Sequence, residues 1–138
     1  MTSLPAEARA TVGSVMHSGV VTCRPDATLR TVAGILAAHR IHAVIVASPD
    51  EAAPCAVVTD RDVVFGHSLG KLDRLTARDA ASEPTVTVRA DLDLQYASEV
   101  MAQHGTMHVV VTSPGDGRPV GILSSLDIAN AVGAKRSS

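Results

Sequence analysis

The sequence predicts a mixed α/β (α+β) fold in which one unit, ordered strand, helix, strand, strand, helix, occurs twice in tandem. The first observation is a repeat at a constant offset of 65 residues, which runs without a gap from residue 21 to residue 62. Thr22 matches Thr87, and Asp62 matches Asp127. The second observation is that short β-branched runs alternate with segments of helical apolar spacing inside each copy. A sustained internal repeat is evidence about the whole fold rather than about one element.

The first copy contains a short strand, a helix with one apolar stripe, two strands joined by a turn, and a second helix. Thr28 and Asp26 are both good N-cap residues for the first of these helices. A separate helix is expected to precede the copy, after Pro5. The predicted elements are a helix over 6–16, a strand ending near Thr22, a helix over 26–40, strands over 43–47 and 55–59, and a helix over 61–66.

The second copy repeats this order, with Asp93 as the expected helix cap and Gly133 as the residue that ends the last helix. Its predicted elements are strands over 86–88, 107–112 and 120–123, a helix after Asp93, and a helix over 125–132. We therefore expect a first repeat over 12–66, a linker over 67–78, a second repeat over 79–133 and a frayed tail over 134–138.

Composition excludes several classes of function. The net charge is −2 with no run of Lys or Arg, and there are one Tyr, one Phe and no Trp, so neither phosphates nor bases of a nucleic acid would find partners. No apolar stretch approaches the roughly 20 residues needed to span a bilayer. The N-terminus lacks the layout of a signal peptide, which predicts a cytoplasmic protein without membrane contact.

The two cysteines, Cys23 and Cys55, form no metal-ligand or redox motif. We interpret them as buried thiols, with a disulfide between them left open as the alternative. No cluster of residues with metal-ligand spacing is found, so no metal site is predicted.

The pattern that carries chemistry is a hydroxyl residue followed three positions later by an aspartate, where a buried strand runs into a helix. It occurs as Thr59 and Asp62, and again as Ser124 and Asp127. In one interpretation each pair closes the helix N-terminus on itself, as in a capping box. In the other, each pair offers a donor and an acceptor to a hydroxylated ligand. The sequence leaves both open.

The doubled order of elements, with the pattern Gly/Ala-apolar-apolar-Thr/Ser-x-x-Asp at the third strand of each copy, resembles a tandem pair of CBS domains, the Bateman module. The likeness covers roughly residues 12–133. It implies that the repeats pack sheet to sheet with pseudo-twofold symmetry. It also implies that the clefts between them bind an adenosine-containing ligand: AMP, ADP, ATP or S-adenosylmethionine. A regulatory protein is implied, one that requires no cofactor, forms a homodimer and acts on a partner carried by another polypeptide.

The resemblance also implies which residues bind the ligand. Thr59 with Asp62, and Ser124 with Asp127, would hold the ribose hydroxyls, since an ionised aspartate can accept two charge-assisted hydrogen bonds from a vicinal diol. Helix N-termini at these positions suit phosphate oxygens. The further candidates, for the base and the phosphates, are Thr22, Cys23, Arg40, Ala43, Val44, Arg61, Thr87, Val88, His108 and Val109.

The two copies depart from the family pattern in different ways. Ala56 replaces the usual Gly of the motif in the first copy, and Ile45 and Val110 stand where a Pro is common. The second copy has Gly105 and Leu126 where the first has Arg40 and Arg61. If both sites bind a ligand, we expect them to bind it differently.

Two other functions are considered. A ligand-free dimerisation or interaction module would use exposed apolar positions such as Val15, Leu126 and Ile128. An enzyme would need a nucleophile, a base and an orienting group in one site, and we find no Ser/His/Asp or Cys/His arrangement that the repeat brings together. We therefore predict no catalytic residue.

Overall fold

The computed structural model describes residues 10–50, 54 and 56–134, which form six helices and seven strands. Their bounds, in chain order, are α1 (Val12–Val15), β1 (His17–Ser18), β2 (Thr22–Cys23), α2 (Leu29–His39), β3 (Ala43–Val46), β4 (Ala56–Thr59), α3 (Asp60–Ser68), α4 (Ala77–Ala80), β5 (Thr87–Arg89), α5 (Leu94–His104), β6 (His108–Thr112), β7 (Pro119–Ser124) and α6 (Ser125–Ala134).

The chain divides into two compact units, and each contains one small mixed sheet. The first unit, residues 21–85, holds a sheet in the order β2-β3-β4, in which β2 is parallel to β3 and β4 is antiparallel to it. The second unit joins the described part of residues 1–20 to residues from 86 onward. Its sheet has the order β1-β7-β6-β5, with β5 parallel to β6 and the other pairs antiparallel.

Each unit has its own apolar core beneath its sheet. In the first, α2 presents Leu29, Val32 and Leu36 at helical spacing, and they join Val44 and Val58 from alternate positions of β3 and β4. In the second, α5 presents the matching stripe against β6 and β7, with members Leu94, Ala97, Met101, Val109, Val111 and Leu123. Burying one such Leu or Val stabilises the folded chain by about 1.5–3 kcal/mol, so the cores fix the sheets that carry the candidate site.

The repeats exchange their N-terminal segments. The N–H of Val12 donates to the Leu92 carbonyl at 2.8 Å, which attaches α1 to the loop before α5. At the matching place in the repeat, the N–H of Ala77 donates to the Ala27 carbonyl at 2.7 Å, which attaches α4 to the loop before α2. The segment that precedes the strand-helix-strand-strand-helix unit of each copy is therefore bonded to the unit of the other copy. The compact units consequently begin at residues 21 and 86, later in the chain than the predicted repeats, which begin at residues 12 and 79.

The predicted order strand, helix, strand, strand, helix is confirmed in both copies, with shifts at element ends. The first strand forms at Thr22–Cys23 rather than ending near Thr22, because those residues are the ones that pair with Ile45 and Val46. Thr28, not Asp26, caps α2, with its hydroxyl oxygen accepting from the Thr31 N–H at 3.2 Å. Asp93 is the N-cap of α5, but its side chain makes no capping hydrogen bond.

Helices also extend into segments that were expected to be loops. α3 begins at Asp60 and continues to Ser68, and a helical turn, α4, follows where a linker was predicted, because Thr76 caps it. α6 continues past Gly133 to Ala134, since a helical glycine weakens a helix without ending it. Of the helix predicted over 6–16, the structure describes residues 10–16, and Val12–Val15 are the helical ones among them. Residues 6–9 of that helix, Cys55 and residues 135–138 of the predicted tail lie outside the described residues. Cys23 is buried.

An exposed ion pair joins α2 to the loop before α4. The Arg30 guanidinium donates to Asp73 at 2.6 Å and 3.1 Å, and this hydrogen bond holds the pKa of the Asp73 carboxyl below its ordinary value. Exposed pairs contribute little to stability, so we attribute to this one a role in loop placement only. Within the described part of the chain, no helix is long and apolar enough to cross a membrane.

Gly121→Ala should destabilise the fold by about 1–3 kcal/mol, because the added methyl group has no room. A Cβ at Gly121 would lie 2.9 Å from the Met16 sulfur and closer still to the His17 carbonyl oxygen. The control is Gly133→Ala, where nothing lies within 4 Å of the added atom. Urea unfolding measures both. A Gly121→Ala protein as stable as the parent would show that β1 does not pack against β7 as described.

Candidate functional site

The first candidate site lies where β4 ends and α3 begins. Thr59 has extended backbone angles as the N-cap, and its Oγ1 accepts from the Asp62 N–H at 3.3 Å. In return, Oδ2 of Asp62 accepts from the Thr59 N–H at 2.9 Å and from the Thr59 hydroxyl at 3.2 Å. Both residues are buried, with 3% and 5% of their surfaces exposed. The capping box expected as one interpretation is therefore present.

A third residue, which the sequence did not predict, completes this site. Ser82 donates its hydroxyl to Oδ1 of Asp62 at 2.6 Å, a length typical of a charge-assisted bond. Ser82 follows α4, which packs on this unit because of the exchange of N-terminal segments. Neither Ser82 nor its neighbours form a motif, so only the exchange itself could have identified it.

The second candidate site repeats this geometry at the start of α6. Oδ2 of Asp127 accepts from the Ser124 N–H at 2.9 Å, and the Ser124 hydroxyl oxygen accepts from the Asp127 N–H at 3.1 Å. Nδ1 of His17 lies 2.9 Å from Oδ1 of Asp127. Since an ionised carboxylate only accepts, the ring hydrogen is placed on Nδ1. Asp127 is 7% exposed, whereas the His17 side chain is 77% exposed.

His17 and Ser82 occupy the same position of the repeat, 65 residues apart. Each carboxylate thus has one oxygen engaged by its own helix cap and the other engaged by a side chain from the segment before the other repeat. Ser124, His17 and Asp127 lie together at one helix N-terminus. No hydrogen bond within the described residues joins His17 to Ser124, so these three side chains do not form a proton relay.

The remaining strand residues predicted to contact a ligand fall into three groups. Ala43 pairs directly with Thr59 across the first sheet, and His108 pairs with Ser124 across the second, so the structure brings these two into the sites. Thr22 and Thr87 lie on the parallel strands next to them and are exposed. The other strand candidates point their side chains into the apolar cores, namely Cys23, Val44, Val88 and Val109. These four side chains belong to the apolar cores, and their role beside a ligand stays a prediction.

Charged residues surround the first site but not the second. Arg40 and Arg61 are exposed, and Nδ1 of His42 lies 2.8 Å from Oδ2 of Asp60 at the start of α3. The corresponding residues of the second copy are Gly105, Leu126, Met107 and Ser125. Two of these, Met107 and Leu126, are exposed apolar side chains. Any phosphate selectivity of the two sites therefore differs.

Arg40 has an unusual backbone. It is the residue that ends α2, with a left-handed φ of 54°, and it is the sole described non-glycine residue with positive φ. Its counterpart Gly105 has φ 62° and ends α5 in the same way. Left-handed geometry costs an L-residue about 1–2 kcal/mol, whereas glycine adopts it freely.

The sequence matches the CBS domain family over residues 12–66 and 77–134. The chain therefore belongs to the CBS domain family, as a tandem pair of CBS domains, and its two small mixed sheets match those of CBS-pair structures. The resemblance and the fold expected from the sequence are confirmed.

Individual relatives agree with this assignment. A CBS domain protein from Pyrobaculum aerophilum, solved in complex with AMP, is 30% identical, with a TM-score of 0.74 over 85% of this chain and 88% of that one. Hypoxic Response Protein I, solved with two coordinated zinc ions, is 29% identical, with a TM-score of 0.70 over 88% of this chain and 98% of that one. An uncharacterized protein of Methanopyrus kandleri is 30% identical over 119 residues, and the chain spans 60% of its length. The described residues contain no group of three or more His, Cys, Asp or Glu side chains that could hold a metal ion.

Asp62→Ala should cost about 2 kcal/mol of stability, and more than Asp127→Ala. The reason is that the loss of Asp62 leaves two buried donors unsatisfied at the helix start, the N–H and the hydroxyl of Thr59, whereas the loss of Asp127 leaves one, the N–H of Ser124. Urea unfolding of both variants measures the difference, with Glu99→Ala, an exposed carboxylate on α5, as the control. An equal or larger loss for Asp127→Ala would contradict the difference in bonding.

Proposed function

We propose that this chain is a regulatory module that binds an adenosine-containing nucleotide, AMP, ADP, ATP or S-adenosylmethionine, at Thr59 with Asp62 and at Ser124 with Asp127. The observation that carries the proposal is the pair of buried carboxylates at matching helix N-termini in a chain 30% identical to a CBS domain protein complexed with AMP. Both sites offer an ionisable acceptor at the positive end of a helix dipole, which suits a ribose diol and a nearby phosphate.

A regulatory rather than catalytic role is supported by the family. Stand-alone CBS-pair proteins are generally non-catalytic regulatory modules. The side chains of the two motif pairs are engaged in cap bonds, and no hydrogen bond among the described residues joins His17, the histidine paired with Asp127, to the Ser124 hydroxyl. We propose accordingly that the module needs no cofactor, acts in the cytoplasm on a protein carried by another polypeptide, and contacts neither membrane nor nucleic acid.

The proposed domain organisation follows the repeats: CBS repeats over 12–66 and 79–133 with a linker over 67–78. The match to the family, which spans 12–66 and 77–134, supports these bounds. A ligand can act on such a module only through a difference in affinity between two of its states.

AMP should raise the thermal unfolding midpoint of the nucleotide-stripped protein. At 100 times its dissociation constant a ligand stabilises the folded state by about 2.7 kcal/mol, which corresponds to an upward shift of several degrees for a chain of this size. The measurement is repeated with ADP, ATP and S-adenosylmethionine. Asp62→Ala and Asp127→Ala together should abolish the shift, whereas Glu99→Ala should leave it unchanged. No shift with any of the four ligands would exclude the proposal.

Arg40→Gly separates a binding role of Arg40 from a structural one. The substitution installs the residue that the second repeat has at this position, relieves the left-handed backbone and should stabilise the fold by about 1 kcal/mol. If Arg40 binds phosphate, the same variant binds ATP more weakly but adenosine equally well. Calorimetry with both ligands measures this, and Gly105→Ala, which introduces strain in the other copy, is the stability control. Unchanged ATP affinity would show that Arg40 is a surface residue only.

An alternative function is a ligand-free dimerisation module. Five large apolar side chains are exposed on or beside the two helices that follow the sites: Val64, Phe65, Leu69, Leu126 and Val132. The expectation for Val15 and Ile128 was wrong, because both pack half-buried against the core of the second unit. A homodimer that forms equally with and without nucleotide, measured by light scattering, would favour this alternative.

A further inference from the structure

The two motif aspartates differ in how much hydrogen-bonding capacity they have left. An ionised carboxylate has about four acceptor positions, two on each oxygen. At Asp62, Oδ2 accepts from the N–H and from the hydroxyl of Thr59, and Oδ1 accepts from Ser82. Three of the roughly four positions are therefore engaged, and one remains on Oδ1.

Asp127 has more capacity. Its Oδ2 accepts from the Ser124 N–H, and its Oδ1 faces Nδ1 of His17. One position remains on each oxygen. A vicinal diol presents two hydroxyls about as far apart as the two oxygens of a carboxylate, so Asp127 can accept both while keeping its existing bonds.

We propose that Ser82 is the residue that sets the two nucleotide sites apart, because its hydroxyl occupies one of the two positions on Oδ1, the one oxygen of Asp62 that the Thr59 bonds leave open to the two hydroxyls of a ribose diol. The Asp127 site then binds the diol directly, and the Asp62 site binds it only by exchanging the Ser82 hydroxyl. This inference rests on the proposed function and adds to it an order of affinity: the site at Asp127 is the stronger one for a ribose diol.

The hydrogen bond that a ligand hydroxyl replaces is the one from Ser82, rather than the one from the Thr59 hydroxyl. Thr59 is 3% exposed, and turning its hydroxyl away from Asp62 would leave that hydrogen in a buried environment without an acceptor. Ser82 is exposed, so its hydroxyl can turn to water at little cost. The bond it gives up is nevertheless short, at 2.6 Å, and its loss weakens ligand binding at this site.

His17 occupies the same repeat position as Ser82, but its bond to Asp127 does not compete with a diol. Its bond occupies Oδ1 of Asp127 but leaves room for a diol, so removing it opens no position that the ligand needs. It holds the orientation of a carboxylate that is 7% exposed. His17 is thus a positioning residue for the second site, and Ser82 a competitor at the first.

The test measures AMP affinity by calorimetry at one site at a time. In an Asp127→Ala background, which leaves the first site, Ser82→Ala should tighten AMP binding by about fivefold, the effect of removing one competing hydrogen bond. In an Asp62→Ala background, His17→Ala should not tighten it. The Asp62→Ala protein should also bind AMP more tightly than the Asp127→Ala protein. Ser68→Ala, which removes an exposed hydroxyl bonded to the Phe65 carbonyl, is the matched control and should change nothing.

A ligand-free measurement separates this inference from the proposed function. A double-mutant cycle of Asp62→Ala and Ser82→Ala in urea unfolding should show that the two losses of stability are not additive. Additive losses would show that the Ser82 bond does not form, and unchanged or weaker AMP binding by Ser82→Ala would show that it does not compete; either result overturns the inference. Coupling in the cycle with no AMP binding by any variant would refute the nucleotide function and leave Ser82 as a structural bond alone.

Discussion

The structure depends on two buried aspartates that each repeat cannot satisfy alone. Asp62 and Asp127 lie at the starts of α3 and α6, almost completely removed from solvent. A buried carboxylate is costly unless it is well hydrogen-bonded, and the local helix cap engages only one oxygen of each. The other oxygen is bonded by Ser82 or His17, which the exchange of N-terminal segments delivers from before the other repeat. The exchange thus supports the electrostatics of the sites as well as the packing of the cores.

The same exchange explains a difference between the two motifs. Gly121 is required in the second unit because β1 pairs alongside it, with Ser18 as its direct partner. In the first unit the matching neighbour of β4 is a single bridge between Val57 and Glu83, so no strand closes against Ala56. The methyl group of Ala56 is therefore tolerated in a strand whose outer edge is less tightly covered. The replacement of the usual Gly by Ala56 is therefore explained by the short pairing along the outer edge of β4, which is one bridge where the second unit has the strand β1.

Much of this molecule was predictable from the 65-residue offset and the hydrophobic periodicity. The repeat and the periodicity place each strand and helix within a few residues. The spacing of Leu29, Val32 and Leu36 predicts one face of a helix, and the continuous apolar run from Ala43 to Val46 predicts a buried strand, so neither prediction needs tertiary information. Thr59 with Asp62 is also a local pattern and was found. Ser82 and His17 were not, since their partners lie 20 and 110 residues away and depend on which unit each N-terminal segment joins. The strand residues Val44 and Val109 were assigned to the ligand because periodicity does not say which face of a sheet is the core.

The connection between site and segment gives the module a physical route for regulation. Ser82 lies five residues before β5, so the chain that bonds Asp62 continues directly into the sheet of the second unit. His17 lies five residues before β2 and continues into the sheet of the first. A ligand that replaced the Ser82 hydroxyl on Asp62 would remove a hydrogen bond that holds the segment between α4 and β5. A ligand that left the bond between His17 and Asp127 intact would leave the segment between α1 and β2 in place. Because a ligand shifts a conformational equilibrium only by its difference in affinity for the two states, we propose that a nucleotide at the Asp62 site would alter this segment. A nucleotide at the Asp127 site would leave the conformation already present.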